Sequence, residues 1–255
     1  MGYYVFVLVN VVCACAWADQ NKTGTKGNDP PILQKKTTVK PPPSPAASGP
    51  APAVYLFDGK ELNRDWKLLN PDADKWTMQP KRKSIMIETQ TGSCLDPKTG
   101  KNLLVLNKQL PTEDFEVIVK ASIQAQVQGN QISMILSSDP TNYFWILFNR
   151  TGWINGPMSV YFQKISQGQQ AGSFENIVGT SSFYFRIVRD GNTYSGYYSN
   201  MDPSKPEDID KIAWTGLGTF PWIRFQPKQL ALCANNSQAP LGVAAEFYSV
   251  VIRKK

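Results

Sequence analysis

Beyond Val54 the chain alternates apolar and polar residues with a period of two, in short runs broken by Gly, Pro, Asn and Asp. No segment sustains a helical period for three turns. The alternation predicts strands at 53–57, 75–79, 84–89, 102–106, 114–126, 130–137, 142–149, 157–164, 182–189, 193–199, 211–215, 228–234 and 242–253. The clearest turn is Arg189-Asp190-Gly191-Asn192, where an Asp-Gly pair offers the positive φ angles that a tight hairpin between FYFRIVR and TYSGYYS needs. So many short strands with almost no helix predict an all-β, two-sheet antiparallel sandwich or jelly roll over residues 54–255.

The first 53 residues follow other rules. Residues 3–16 form an uncharged, mostly apolar run that leads into Ala16-Trp17-Ala18 and then Asp19, an A-x-A cleavage pattern. The run is too short to span a bilayer comfortably, so residues 1–18 are expected to be a cleaved signal peptide, with no stable membrane insertion afterwards. Val12-Cys13-Ala14-Cys15 loosely resembles a lipobox, and a lipoprotein with Cys15 modified is the alternative. Residues 19–53 are rich in Pro, Lys, Thr and Ser around Lys40-Pro41-Pro42-Pro43, a composition that favours extended polyproline II and a semi-rigid, disordered linker. The chain is thus expected to be secreted or extracytoplasmic.

Charge and composition narrow the chemistry. The net charge of +7 divides into +3 on the linker and +4 on the globular part, and no run of Lys and Arg interleaved with aromatics marks a nucleic-acid groove. Nucleic acid is therefore not an expected partner. The chain has no histidine, which excludes a Ser-His-Asp triad, a Cys-His dyad and His-based zinc sites. Cleavage at Ala18 leaves only Cys94 and Cys233, which either pair as a disulfide or stay as separate buried thiols. No nucleophile elbow, phosphate loop or C-x-x-C pair occurs in the mature chain, and no catalytic residue is assigned. Three sequons, at Asn21, Asn149 and Asn235, matter only in a eukaryotic host.

Five stretches in order carry a family resemblance: DADKWTMQPKRKSIMIET (72–89), KNLLVLNKQLPTEDFEVIVKASI (101–123), QISMILSSDPTNYFWILFN (131–149), FYFRIVRDGNTYSGYYS (183–199) and AAEFYSVVI (244–252). Together they resemble the concanavalin-A-like jelly roll at the C-terminus of family 43 β-xylosidases. The opening LFDGKEL (56–62), followed by Trp66, also resembles the start of the secreted 3-keto-disaccharide hydrolases. The first resemblance implies a domain without the catalytic propeller of those xylosidases, and no Glu begins the E-x-D-x-x-E pattern of other jelly-roll glycosidases. It implies a non-catalytic, carbohydrate-associated binding module, with a glycan or polysaccharide as partner.

Aromatic and amide-rich surface would do that work by stacking on sugar faces and hydrogen-bonding hydroxyls. The candidate contacts are Trp153, Tyr161, Arg186, Tyr143, Trp145 and Tyr197. No cofactor is expected, although a structural calcium could sit on Glu113-Asp114-Phe115-Glu116 or Glu207-Asp208-Ile209-Asp210. Two other functions compete. One is a structural or protein-interaction role at the cell surface; the other is glycoside cleavage like that of the 3-keto-disaccharide hydrolases, resting on Asp58 or Glu246.

Overall fold

Strands form where alternation lets one side of an extended segment be buried, and the protein repeats this solution along its whole globular length. The structure, a computed structural model, describes residues 51–94, 99–151, 157–179, 181–200, 209–237 and 241–255. The leader, the linker up to Pro50, and the candidate Trp153 lie outside these residues.

The described strands begin with β1 (Ala53–Leu56), β2 (Trp66–Leu69), β3 (Trp76–Gln79), β4 (Ser84–Glu88) and β5 (Leu103–Leu106). The long central strands follow: β6 (Phe115–Ile123), β7 (Asn130–Asp139), β8 (Asn142–Arg150), β9 (Met158–Ser166) and β10 (Gln169–Val178). The last are β11 (Ser182–Asp190), β12 (Thr193–Ser199), β13 (Thr215–Pro221), β14 (Gln229–Asn236) and β15 (Ala244–Lys254). They assemble into an eight-stranded sheet in the order β13-β12-β11-β6-β15-β4-β3, with β1 also on β15, and a seven-stranded sheet in the order β10-β9-β8-β7-β14-β5-β2. Neighbouring strands that are far apart in sequence, such as β6 and β15, are what the jelly roll requires.

The core lies between the two sheets. On β11, Phe183, Phe185 and Ile187 point inward, and Tyr184 points to the opposite face. Phe148 and Phe183 stack across the gap with ring centroids 4.0 Å apart. At one end Phe144, Tyr194 and Phe225 pack together, and burial pushes the Tyr194 hydroxyl up to about 12 while it donates to Phe225 O at 3.0 Å.

The hairpin forms where expected, but its loop is shifted by one residue: Asp190 ends β11, and of the expected Asp-Gly pair only Gly191 takes positive φ. Asp190 pairs with Thr193, so the two loop residues are Gly191 and Asn192, with the glycine at φ 57°. Three elements differ from the predicted pattern. β2 and β10 were not expected, and the strand expected at 211–215 is instead a 3-10 turn at Ile209–Lys211 followed by β13. β13 reads TGLGTFP, and its glycines hide the alternation. Gly218 is needed there, since a Cβ on it would lie 2.3 Å from the Phe174 ring of β10.

Cys94 and Cys233 form a disulfide across 139 residues of sequence. Cys233 is on the outer face of β14, so the bond fastens the segment after β4 onto the outside of the seven-stranded sheet. Among the described residues no helix is long and apolar enough to cross a membrane.

Candidate functional site

Register places the site. Across the outer face of the seven-stranded sheet, one row of directly opposed residues runs Ile165, Tyr143, Ser137, Gln229. The next row runs Ser173, Gln163, Trp145, Ile135, Ala231. The third runs Glu175, Tyr161, Leu147, Ser133, Cys233, and the fourth Asn149, Gln131, Asn235. Alternation on β8 and β9 therefore brings Tyr143, Trp145 and Tyr161 onto one face, interleaved with amides at Gln163, Gln131, Asn149 and Asn235.

The first two rows border a cavity of about 420 Å3, lined among others by Ile135, Ser137, Tyr143, Gln229 and Cys94. That volume suits a small ligand or one to two sugar units. Tyr143 is 6% exposed, a wall of the cavity more than an open platform. Trp145 and Tyr161 are half-buried, and the Tyr161 hydroxyl donates to Glu175 Oε1 at 2.7 Å.

Three buried polar atoms on this face have no hydrogen-bond partner among the described residues: Trp145 Nε1, Asn149 Oδ1 and Asn235 Oδ1. Buried polar groups are normally satisfied, so one donor and two acceptors left over on one face are an unusual set. Asn235 is 6% exposed and donates through Nδ2 to Gly92 O at 2.8 Å, which makes it part of the folded interior rather than an accessible glycosylation site.

The turn joining β7 to β8 sets where Tyr143 enters. Asp139 accepts from the backbone and hydroxyl of Thr141 at 2.9 and 2.8 Å and from Asn142 Nδ2 at 3.0 Å. The Thr141 hydroxyl and the other donors hold the Asp139 carboxyl well below the usual carboxylate range. The same turn engages the next hairpin, since Gln167 N donates to Asn142 Oδ1 at 3.0 Å.

The remaining sequence candidates lie elsewhere. Arg186 and Tyr197 belong to β11 and β12 of the other sheet, so the six residues do not share one groove. Arg186 is 2% exposed and its Nε donates to Glu116 Oε2 at 2.8 Å. Its guanidinium lies 5.3 Å from the Tyr197 ring centroid and 5.2 Å from that of Trp214. This arginine is occupied in holding its own sheet, which corrects its expected role as a ligand contact.

The acidic clusters are similarly engaged. Glu116 also pairs with Arg253, which reaches Asp210 at 2.6 Å, while Glu113 pairs with Lys254 at 3.0 Å and Asp114 accepts from Gly191 N at 2.7 Å. Glu207 and Asp208 lie outside the described residues, and among the described residues no three acidic or cysteine side chains group as a metal site. Glu246 is buried, accepting from Ser84 Oγ at 2.8 Å and pairing with Arg82 at 2.8 Å. Asp58 follows β1, which pairs antiparallel with β15, the strand that also carries Glu246, and Phe57 N donates to Tyr248 O at 3.3 Å.

No family model and no curated protein matches this chain. Solved structures do. A family 43 glycoside hydrolase from Bacillus licheniformis is similar at a TM-score of 0.63 and 16% identity, over 79% of this chain and 39% of that one. The fold is a concanavalin-A-like jelly roll. A xylan β-1,4-xylosidase from Bacillus halodurans matches at 0.57 and 13% identity, covering 84% of this chain and 41% of that one. The β-glucanase of Bacillus licheniformis, itself a jelly roll, matches at 0.51 and 14% identity over 79% of this chain and 98% of its own. This chain spans about two-fifths of the family 43 proteins that it matches. At these identities the likeness is one of fold, and the jelly roll here is one that glycoside hydrolases also carry.

Proposed function

We propose that this is an exported carbohydrate-binding module, non-catalytic, which takes a glycan on the outer face of its seven-stranded sheet. The observation that carries the reading is the pair of half-buried aromatics, Trp145 and Tyr161, that register sets side by side with Gln163 on that face, in the rows next to the Tyr143 cavity. Trp145 and Tyr161 offer ring faces for stacking on a saccharide, and the half-buried Gln163 amide can donate to or accept from its hydroxyls. Support also comes from the company of the fold, since several similar structures are glycoside hydrolases. Export rests on Ala16-Trp17-Ala18 and the apolar run before it.

Glycan-array screening of the mature chain tests this directly. Retention on a defined polysaccharide, lost in Trp145→Ala and weakened in Tyr161→Ala with the melting temperature preserved, is the expected result. Failure to bind any glycan, or binding indifferent to both substitutions, would refute it.

A further inference from the structure

A second cavity, of about 550 Å3, lies beside the first and is lined by Asn107, Lys108, Gln109, Gln226 and Lys228 among others. Lys228 also lines the Tyr143 cavity, so this one lysine borders both. It is exposed, at the start of β14, with its backbone N–H fixed on Ser137 O at 2.8 Å. The second cavity has no carboxylate among its described lining residues. Its other cation, Lys108, is paired with Asp65 at 3.2 Å.

The first cavity has a single carboxylate, Asp139, and its oxygens are taken by Thr141, Asn142 and Ser138 of its own turn. Lys228 has no ion-pair partner among the described residues. Arg189 Nη1 donates to Thr112 O and to Gln226 Oε1, both at 2.9 Å, which fixes the far wall without adding a negative charge. The junction thus presents a cation that no carboxylate pairs with directly, flanked by amides on one side and a tyrosine-walled cavity on the other.

We propose that Lys228 is an anion subsite and that the ligand of this domain is an acidic polysaccharide. Its neutral ring lies in the Tyr143 cavity and its anionic substituent, a uronate carboxylate or a sulfate ester, meets the Lys228 ammonium at the mouth of the second cavity. This inference rests on the glycan-binding reading and adds the charge of the ligand to it. A charge contact to an exposed ammonium is modest, and sets a preference of about two- to fivefold between acidic and neutral chains.

Titration calorimetry of the mature chain with polygalacturonate, carrageenan and neutral arabinoxylan tests it. The expected result is tighter binding of one or both acidic polymers, weakened by added salt. Lys228→Ala brings acidic binding down about two- to fivefold to the neutral level, and Lys228→Arg retains the preference. Lys81→Ala, on the exposed β3–β4 turn, leaves it unchanged and so separates a subsite from the general basicity of the domain. The two acidic polymers distinguish carboxylate from sulfate. Equal affinity for all three, or an acidic preference that Lys228→Ala does not reduce, overturns this inference while leaving the glycan reading intact. Binding to no polysaccharide at all overturns both.

Discussion

The bond between Cys94 and Cys233 closes a loop of 139 residues, most of the globular chain, and its removal should be felt throughout the fold. In the chain-entropy account, a loop of that length restricts the unfolded ensemble by about 17 cal/mol/K, or about 5 kcal/mol at 25 °C. Domains of this kind are stable by roughly 5–15 kcal/mol, so the bond contributes a third of the total or more. Cys233 is 1% exposed and opposite Ser133 on the neighbouring strand, so the reduced thiol fits where the disulfide was and the loss is mainly one of cross-linking. Urea unfolding followed by tryptophan fluorescence, with and without a phosphine reductant, measures it. With a slope of about 2–3 kcal/mol/M, reduction should lower the midpoint by about 2 M, and the Cys94→Ser, Cys233→Ser double variant should unfold at the same point without reductant. An unchanged midpoint, or two reactive thiols released by denaturant alone, would refute the cross-link and the loop-closure reasoning together.

Other consequences can be measured on the same samples. Glu116→Gln leaves Arg186 buried without its anion and should destabilise by about 3–5 kcal/mol in urea, whereas the paired replacement Glu116→Met with Arg186→Met should recover most of that. Gly196→Ala should lower stability by about 1–3 kcal/mol, and by more than Gly218→Ala, because the Phe162 ring it meets at 2.5 Å is fully buried while Phe174, met by Gly218, is only half-buried. The Tyr194 hydroxyl titrates near 12 in the fold and near 10 when unfolded, so the fold favours its protonated form. The stability this supplies is present below pH 10 and lost as pH rises from 10 to 12, and Tyr194→Phe should flatten that part of the stability-against-pH curve. Asp139 is held low by its turn donors, so its contribution is present above the normal carboxylate pKa and lost in acid; Asp139→Asn should remove an acid-labile component of the melting temperature.

How far the fold could be read from the chain depended on where each strand lies. Interior strands such as β6, β7 and β11 are buried well enough that composition and period agree, and the sequence pattern locates each of them within a few residues. β10 is an edge strand with exposed positions along most of its length, so its sequence QQAGSFENIV carries little hydrophobic contrast. Its turn is also disguised. Gln167 and Gly168 both take positive φ, at 53° and 75°, a hairpin geometry usually announced by Asn-Gly or Asp-Gly. β13 fails for a different reason, because contact with the opposing sheet at the sandwich edge demands glycine where a strand signal would need side chains.

The site was legible by half, and the reason is that both outer faces of this sandwich are partly buried. A strand with one wet face shows its ligand residues as polar or aromatic exceptions, but on β8 the outer Tyr143 and Leu147 are nearly as buried as the inner Phe144 and Phe148. Period two separated the faces correctly, grouping Tyr143 with Trp145, yet nothing in it says which sheet a face belongs to. Tyr161 joins them only because β9 pairs with β8, and Arg186 leaves the group only because β11 pairs with β6 and sets it beside Glu116. The amide row of Gln131, Asn149 and Asn235 comes from three strands scattered over a hundred residues, with one residue from each. Lys228 stands out still less in sequence, one lysine among many. Its distinction is that no carboxylate pairs with it directly, since Asp139, which lines the same cavity, accepts from the donors of its own turn. Which carboxylates are held by their own turns and which lysines are left without a salt bridge is a property of pairing and register that appears only once the sheets are assembled.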